Sequence, residues 1–479
     1  MEFFRICLKT GALLLFAAGL AWGQTDVDIA GDDGAPQSVM TSIPLDGLSL
    51  EFSGWVKPIV IMEHRDFGDL GPAPRETFEQ VGVRTKLRLE GKLRDRARLY
   101  ANYLLDYNEV NRTDRQLAED GNLGRLRQVE AYVDLTTEST RWRIGAQQRN
   151  WYEFSGLNDP TDRFNPRDNS VLVYALEDAK IPETGVAWSW FYAANHSTTV
   201  TYVPLSGVNK FSPTLGGFYT FLGYGGDDES GESESSNPDA NSSNSKYVLE
   251  VEGRFGGFTY LFTYVDGLNP RPDMAADDFE IDLEANIDRA VNGRLEYNRY
   301  HSPAFDFTYA FSESAIAKLD MVYFETPDSV DSDDPLMQND WYEYYVGIEL
   351  HFGRTQADLN AGQKIVPGAT ETDAIDDFDD PVARRIYFQN ALLGQPRETT
   401  HVLTFKLQSR FGEAEWLGYK FDVLLNWNVD GEVVRYRIRP EIAFFLAPED
   451  ALYFRLRPDF DKSREITTTR YWTELVLQF

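Results

Sequence analysis

From residue 47 to the carboxyl end of this 479-residue chain, apolar and polar side chains alternate with a period of two, in short runs that recur throughout. That period belongs to the β-strand, whose successive side chains leave opposite faces of the pleat. In one run Val81, Val83, Thr85, Leu87 and Leu89 share a face, and Arg84, Lys86, Arg88, Glu90 and Lys92 share the other. Phe421, Val423, Leu425 and Trp427 alternate with Asp422, Leu424, Asn426 and Asn428. Tyr436, Ile438, Ile442 and Phe444 alternate with Arg435, Arg437, Arg439 and Glu441. Strands of this kind suit a soluble sandwich or a closed barrel with lipid outside and an aqueous lumen inside.

Loop lengths decide between the two. Strands are expected near 48–64, 78–93, 97–111, 125–136, 141–151, 185–194, 197–205, 246–255 and 258–266. The series continues near 304–312, 315–325, 341–353, 355–366, 399–411, 419–428, 432–446, 451–459 and 470–479. Short turns fall at Arg94–Arg96, Asn195–His196, Gly256–Gly257 and Arg354. Long segments fall between them at 66–77, 112–124, 152–184, 206–245, 267–303, 326–340 and 367–398. Short turns at one end and long loops at the other is the outer-membrane pattern, periplasmic and extracellular respectively, and a sandwich has no reason to alternate so. The expected fold is all-β: a closed antiparallel transmembrane barrel over 47–479, of about 18 strands, with about 16 as the alternative count. Trp142, Trp151, Trp188, Trp341, Tyr342, Tyr471 and Trp472, near strand ends, are expected at the membrane–water interfaces.

Residues 1–23 read as a secretory signal peptide. Arg5 and Lys9 precede the apolar core Gly11–Trp22, and Ala21-Trp22-Gly23 forms a small-residue cleavage site. A membrane anchor is the weaker reading, because the apolar run is short for a span. Cys7, the single cysteine, leaves with that peptide, so no thiol chemistry or Cys metal site is expected in the mature chain. Residues 24–46 read as a periplasmic linker. Asp26, Asp28 and Gly31 sketch a calcium loop, but Ala30 and Gln37 occupy ligand positions, so no metal is expected. With 77 acids against 46 bases, a formal net charge of −31 disfavours nucleic-acid binding. The acids crowd the long segments 227–245, 273–284 and 373–380, which read as solvated loops.

The terminal run places Tyr471, Thr473, Leu475, Leu477 and Phe479 on one face, opposite Trp472, Glu474, Val476 and Gln478. An alternating strand ending on an aromatic resembles the assembly signal of bacterial outer-membrane barrels, which implies barrel-assembly machinery as a partner. The stretch 128–168 carries Gly145, Gln147, Trp151, Asp159-Pro160, Asp162, Phe164, Asn165, Pro166, Arg167 and Asp168. It resembles an element of a porin-like outer-membrane barrel family with an Asn-Pro-Arg-Asp loop motif. The chain departs from that pattern at Ala146, where the family usually has Arg, and at Tyr152, where Gly often follows the Trp. The motif spans roughly a tenth of the chain and speaks to family more than to substrate. Physically, Pro166 fixes φ and keeps Asn165 out of a helix, while Asn165 and Asp168 suit turn hydrogen bonds.

Two assignments follow. Alternation sends Arg84, Lys86, Arg88, Lys92, Arg143, Arg435, Arg437, Arg439, Arg455 and Arg457 inward, most of them as one basic stripe once the last strands meet the first. The third long loop is a candidate constriction through Glu153, Asp159, Asp162, Asn165, Arg167 and Asp168, its acids facing that stripe. Charge rings of this sort set ion selectivity. Tyr100, Trp55 and Tyr132 offer inward rings for stacking. His64, His196, His301, His351 and His401 lie in no catalytic or metal-binding spacing, so neither an enzyme nor a cofactor is expected. A plugged transporter needs about 22 strands and a folded plug, for which the linker is too short. The expected function is a porin-like channel for passive or weakly selective diffusion of small hydrophilic solutes, anions among them, in outer-membrane lipid and lipopolysaccharide. A non-conducting surface barrel with a structural, adhesive or ion-binding role is the alternative.

Overall fold

The computed structural model describes residues 41–45, 48–66, 75–93, 96–112, 124–149, 164–167, 180–208, 244–270, 273–275, 278–282, 287–291, 294–326, 340–367, 399–411, 416–446, 451–463 and 467–478. The expected signal peptide, Trp151, Glu153, Asp159, Asp162, Asp168 and Phe479 lie outside them. The chain enters through β1 (Thr41–Leu45), β2 (Leu48–Asp66), β3 (Arg75–Leu93), β4 (Ala97–Arg112), β5 (Gly124–Thr136) and β6 (Thr140–Gln147). It continues through β7 (Glu183–Ala193), β8 (His196–Val203), β9 (Lys246–Phe255) and β10 (Phe258–Leu268). Four short strands follow, β11 (Asp273–Ala275), β12 (Asp278–Asp282), β13 (Ile287–Val291) and β14 (Arg294–Glu296). The wall resumes with β15 (Arg299–Ser312), β16 (Ala315–Phe324), β17 (Trp341–Phe352), β18 (Thr355–Ile365) and β19 (Thr400–Phe411). It finishes with β20 (Leu417–Asn428), β21 (Val433–Phe445), β22 (Leu452–Ser463) and β23 (Thr467–Gln478).

Each wall strand pairs antiparallel with its neighbours, and β2 pairs with β23 from Trp55↔Gln478 to Asp66↔Thr467, which closes the sheet. β2–β10 and β15–β23 thus make a closed barrel of 18 antiparallel strands. Closure matters because an open edge in lipid would leave backbone groups without partners. No described helix is long and apolar enough to cross a membrane; the crossing elements are strands.

The pleat sorts the side chains as alternation requires. In β3, Leu87 and Leu93 are exposed on the outside while Arg84 and Glu90 are buried inside. In β23, Tyr471 faces out while Trp472, Glu474 and Val476 are buried on the inner side, and Leu475 and Leu477 share the Tyr471 face. Parity corrects two interfacial assignments. Trp341 and Trp472 point inward and are buried, because each is adjacent to an outward ring, Tyr342 or Tyr471, and neighbours on a strand cannot share a face. Trp142, Tyr342 and Tyr471 are exposed outward.

Two elements were not expected. β1 lies in the supposed linker and pairs with Leu48–Phe52 of β2. β23 reaches only to Trp55, so the lower edge of β2 is open, and β1 satisfies it in line with β23. In the long segment after β10, β11 pairs with β14 and β12 with β13, so Asp273, Asp278, Glu280 and Asp282 lie on short paired strands.

Candidate functional site

All ten bases of the expected stripe lie on the inner parity of β3, β6, β21 and β22. Their surroundings differ from expectation: the acids that face them come from the wall itself. Arg435 donates to both Asp461 oxygens at 2.9 and 2.6 Å. Arg437 does the same to Asp459 at 2.8 and 2.6 Å. Arg470, absent from the expected set, joins Asp459 to Glu63 across the closing seam. Lower on the wall Arg439 meets Asp422 at 3.2 Å. Arg455 and Arg457 share Glu441 at 3.1 and 2.9 Å, and Arg457 also reaches Glu474 at 3.2 Å. On β3, Arg88 and Lys92 pair with Glu90 at 3.4 and 3.2 Å, and Arg98 of β4 adds a third cation at 2.8 Å. The stripe is therefore a lattice of alternating charge. The acids stand at the same parity as the bases, but their pairings follow diagonals of the register that sequence alone does not reveal.

Arg143 is set apart. It forks onto Asp134 at 2.8 and 2.9 Å and lies 3.9 Å above the Tyr132 ring. Tyr132 stacks on Tyr100 at 5.0 Å, whose ring faces Arg88 and Arg98 at 5.0 and 5.5 Å. Both tyrosines are only 7% exposed, so their faces are already covered by each other and by guanidinium groups. Gly145 makes this possible: at φ +135°, a Cβ there would lie 2.3 Å from the Ala131 carbonyl and 2.8 Å from Tyr132 Cα. Trp55 is likewise occupied, by Lys57 at 3.8 Å.

Of the third-loop candidates, Asn165 and Arg167 are described, and they sit where the loop returns to the wall. Asn165 Oδ1 accepts the Arg149 N–H at 2.7 Å, and its Nδ2 donates to the Gln147 and Ile181 carbonyls at 3.2 and 3.0 Å. It thereby ties the end of β6 to the approach of β7. Arg167 forms a backbone bridge with Lys180. Phe164, fully buried, enters a cluster of inward side chains: Val203, Val248, Leu261, Val265, Tyr300, Ala304, Val322, Phe324, Trp341 and Val366. Its carbonyl accepts a 2.7 Å bond from Lys246 Nζ, which also pairs with Glu183 at 2.7 Å. Lys246 is wholly buried, and Glu183 accepts further bonds from Ser206 and Gly207. The Asn-Pro turn is thus pinned to the inner wall of β7–β10 and β15–β18. Sequence reading missed Lys246 and Glu183, which look like ordinary strand-end charges, and gave Phe164 no role.

Beyond Phe164 the same arc carries acids. Asp306 and Asp320 face each other across β15 and β16 and are both buried. Glu349 and Asp358 hold Lys318 at 2.5 and 2.8 Å. Among the described residues, no group of three or more His, Cys, Asp or Glu is arranged to hold a metal.

A closed antiparallel barrel of 18 strands with apolar side chains outside and a charged lattice inside has the architecture of solved porins. Solved structures that it resembles include Pseudomonas aeruginosa OccK7 (OpdD), at 9% identity and TM-score 0.50, covering 90% of this chain and 98% of that one. The outer membrane protein OpdK of Pseudomonas aeruginosa matches at 10% identity and TM-score 0.51, over 89% and 99% of the two chains. Acinetobacter baumannii OccAB1 matches at 9% identity and TM-score 0.51, over 89% and 97%. The likeness is one of fold. No protein-family model matches the chain, and no curated protein does.

Proposed function

We propose that this barrel is an outer-membrane, porin-like channel that passes small hydrophilic solutes, anions among them, by passive or weakly selective diffusion, and that it is not an enzyme. The observation that carries this reading is the inner lattice from Arg435 to Arg470. A web of ionised side chains inside a membrane-spanning barrel is sustained only where water reaches it. The bases Arg84, Lys86, Arg88, Lys92, Arg143, Arg435, Arg437, Arg439, Arg455 and Arg457 are assigned to the pore lining. Glu153, Asp159, Asp162, Asn165, Arg167 and Asp168 are assigned to the constriction. The name of OpdK, an outer membrane protein, agrees with this location. In the same reading residues 1–23 are removed on export and the Asn-Pro-Arg-Asp loop is a family mark. Barrel-assembly machinery recognises the face of Tyr471, Leu475, Leu477 and Phe479, and the outer rim meets lipopolysaccharide.

Planar-bilayer recording of refolded protein in a salt gradient tests it. Discrete steps with a reversal potential on the anion side are expected. Silence from a barrel shown to be folded by heat-modifiable gel mobility would instead establish a non-conducting surface barrel.

A further inference from the structure

Among the described residues three ladders of the wall skip rungs without a change of register, and each does so at a proline. Between β15 and β16 the break falls at Pro303, and there the Ser302 hydroxyl donates to the Tyr323 carbonyl at 2.8 Å in place of the missing N–H. The other two breaks flank one hairpin, β22–β23. On one side β21 and β22 pair as far as Ile438↔Phe460, skip three rungs and resume at Ile442↔Leu456. Pro440 and Pro458 face each other in the middle of that skip. On the other side β2 and β23 skip from Val56↔Leu477 to Ile59↔Glu474, at Pro58. Within the hairpin the ladder is unbroken from Leu452↔Leu477 to Lys462↔Thr467. The ladder between β20 and β21 likewise runs straight through Phe421↔Pro440, so the N–H that Pro440 lacks is the one that would have faced β22.

Where two prolines stand opposite, the rung loses both of its bonds and both carbonyls lose their ladder donors. In a wall surrounded by lipid that loss is more costly than in water, so prolines are unusual in the middle of a ladder. What crosses the β21–β22 break is charge. Arg437 grips Asp459 at 2.8 and 2.6 Å on one side of it, and Glu441 takes Arg455 and Arg457 at 3.1 and 2.9 Å on the other. Arg470 joins β23 to Glu63 of β2 across the closing seam. The hairpin is therefore firm within itself and is held to both neighbours in part by side chains. We propose that β22–β23 is a lateral gate, a two-stranded panel that parts from β21 at Pro440 and Pro458 and opens a path between the lumen and the surrounding lipid. Such a path suits an amphipathic solute, because ionised side chains line its inner end and lipid meets its outer end. The gate requires the closed barrel and is independent of conduction along the lumen.

A long-chain N-alkylmaleimide dissolved in the lipid of reconstituted vesicles tests it. Ala443 of β21 and Val402 of β19 both point inward and are 4% and 2% exposed, but only Ala443 lies beside the break; the ladders on both sides of Val402 are continuous. Cys7, the chain's single cysteine, falls in the expected signal peptide, so an introduced thiol stands alone. Ala443→Cys is expected to react about tenfold faster than Val402→Cys, as an opening hindered by fewer backbone bonds allows. Adding Pro440→Ala and Pro458→Ala restores both donors and should slow Ala443→Cys by about tenfold, equivalent to roughly 1.4 kcal/mol, while raising the heat-modifiable midpoint. Equal rates at the two thiols overturn the gate, and so does an Ala443→Cys rate that the two alanines leave unchanged. Hydrogen exchange of the wild-type barrel needs no variant. Amides of 438–442 and 456–460 should exchange about tenfold faster than those of β17–β18, whose ladder is unbroken, and equal protection overturns the gate. A barrel silent in planar bilayers that still labels at Ala443→Cys would count against the channel reading alone.

Discussion

The two arcs of the barrel wall obey one strand grammar and put opposite things inside. Along β19–β23 and β2–β6 the inner pleat carries arginines and lysines interleaved with carboxylates, joined in chains such as Arg437–Asp459–Arg470–Glu63. Along β7–β10 and β15–β18 the inner pleat is apolar around Phe164, and its charges are mostly acids, with Lys246 and Lys318 each locked between partners. The first arc holds ionised side chains that call for water around them; the second packs its apolar side chains against Phe164. An antiparallel barrel supplies identical backbone on every side, so the difference is written entirely in which residues take the inner parity. On the proposed channel reading, solute has the charged wall to follow.

The strongest way to break this contrast is to unseal the second arc. Lys246→Met leaves Glu183 buried without its cation, a loss of about 3–5 kcal/mol for a buried pair, and frees the Phe164 carbonyl. The heat-modifiable transition is expected to fall well below wild type and conductance to rise. Phe164→Ala removes the ring at a cost of about 3–5 kcal/mol and should raise conductance in the same way. A Lys246→Met/Glu183→Met double variant should recover much of the stability while staying more conductive. If conductance stays at the wild-type level in every variant that folds, the loop does not narrow the pore.

The first arc is sharpened by reversing its charge. Arg437→Glu with Arg88→Glu swings the wall by two unit charges at each site and places new acids beside Asp459 and Glu90. Through water one unit charge at ~8 Å is worth about 0.5 kcal/mol. Ion preference should then move toward cations by on the order of tenfold at low salt, and by less as salt screens the lumen. Reversal potentials measured at two ionic strengths check both the sign and the screening. An unchanged potential removes these arginines from the conduction path.

Much of the fold was legible because alternation and loop length are one-dimensional signals. The expected strands at 97–111, 315–325 and 432–446 match β4, β16 and β21 to within about two residues. β1 was hidden because Thr41-Ser-Ile-Pro-Leu45 has too few residues to show a period and carries a proline; its reason for being a strand is the bare edge of β2, which is a property of the closed barrel. The site was half legible. Parity sends Arg437 inward, but register decides its partner: its cross-strand neighbour is Asp461, yet its fork closes on Asp459. Trp341 and Trp472 were misplaced where aromatic type was weighed above parity. Phe164 and Lys246 were unreadable because one sits in the third loop and the other at the start of β9, and nothing along the chain says that they meet.

The smallest effect is expected from the acidic segment between β8 and β9. The segment 227–243 contributes Asp227, Asp228, Glu229, Glu232, Glu234 and Asp239 to the loop between β8 and β9, and it lies outside the described residues. Its stem is closed on the wall by the Ser206 N–H bonding the Asn244 carbonyl at 2.9 Å and by Arg299 reaching the Ser245 carbonyl at 3.3 Å. Deleting 227–243 spares both bonds and leaves Lys246 in its place under Phe164. In molar salt, where the screening length is about 3 Å, conductance should stay within about a fifth of wild type. At ~0.01 M salt, where charges act over about 30 Å, loss of these acids should favour anions slightly more. A large change in molar salt would mean that this segment reaches the passage, and the wall of β8–β10 would then be lined by two inserted loops rather than one.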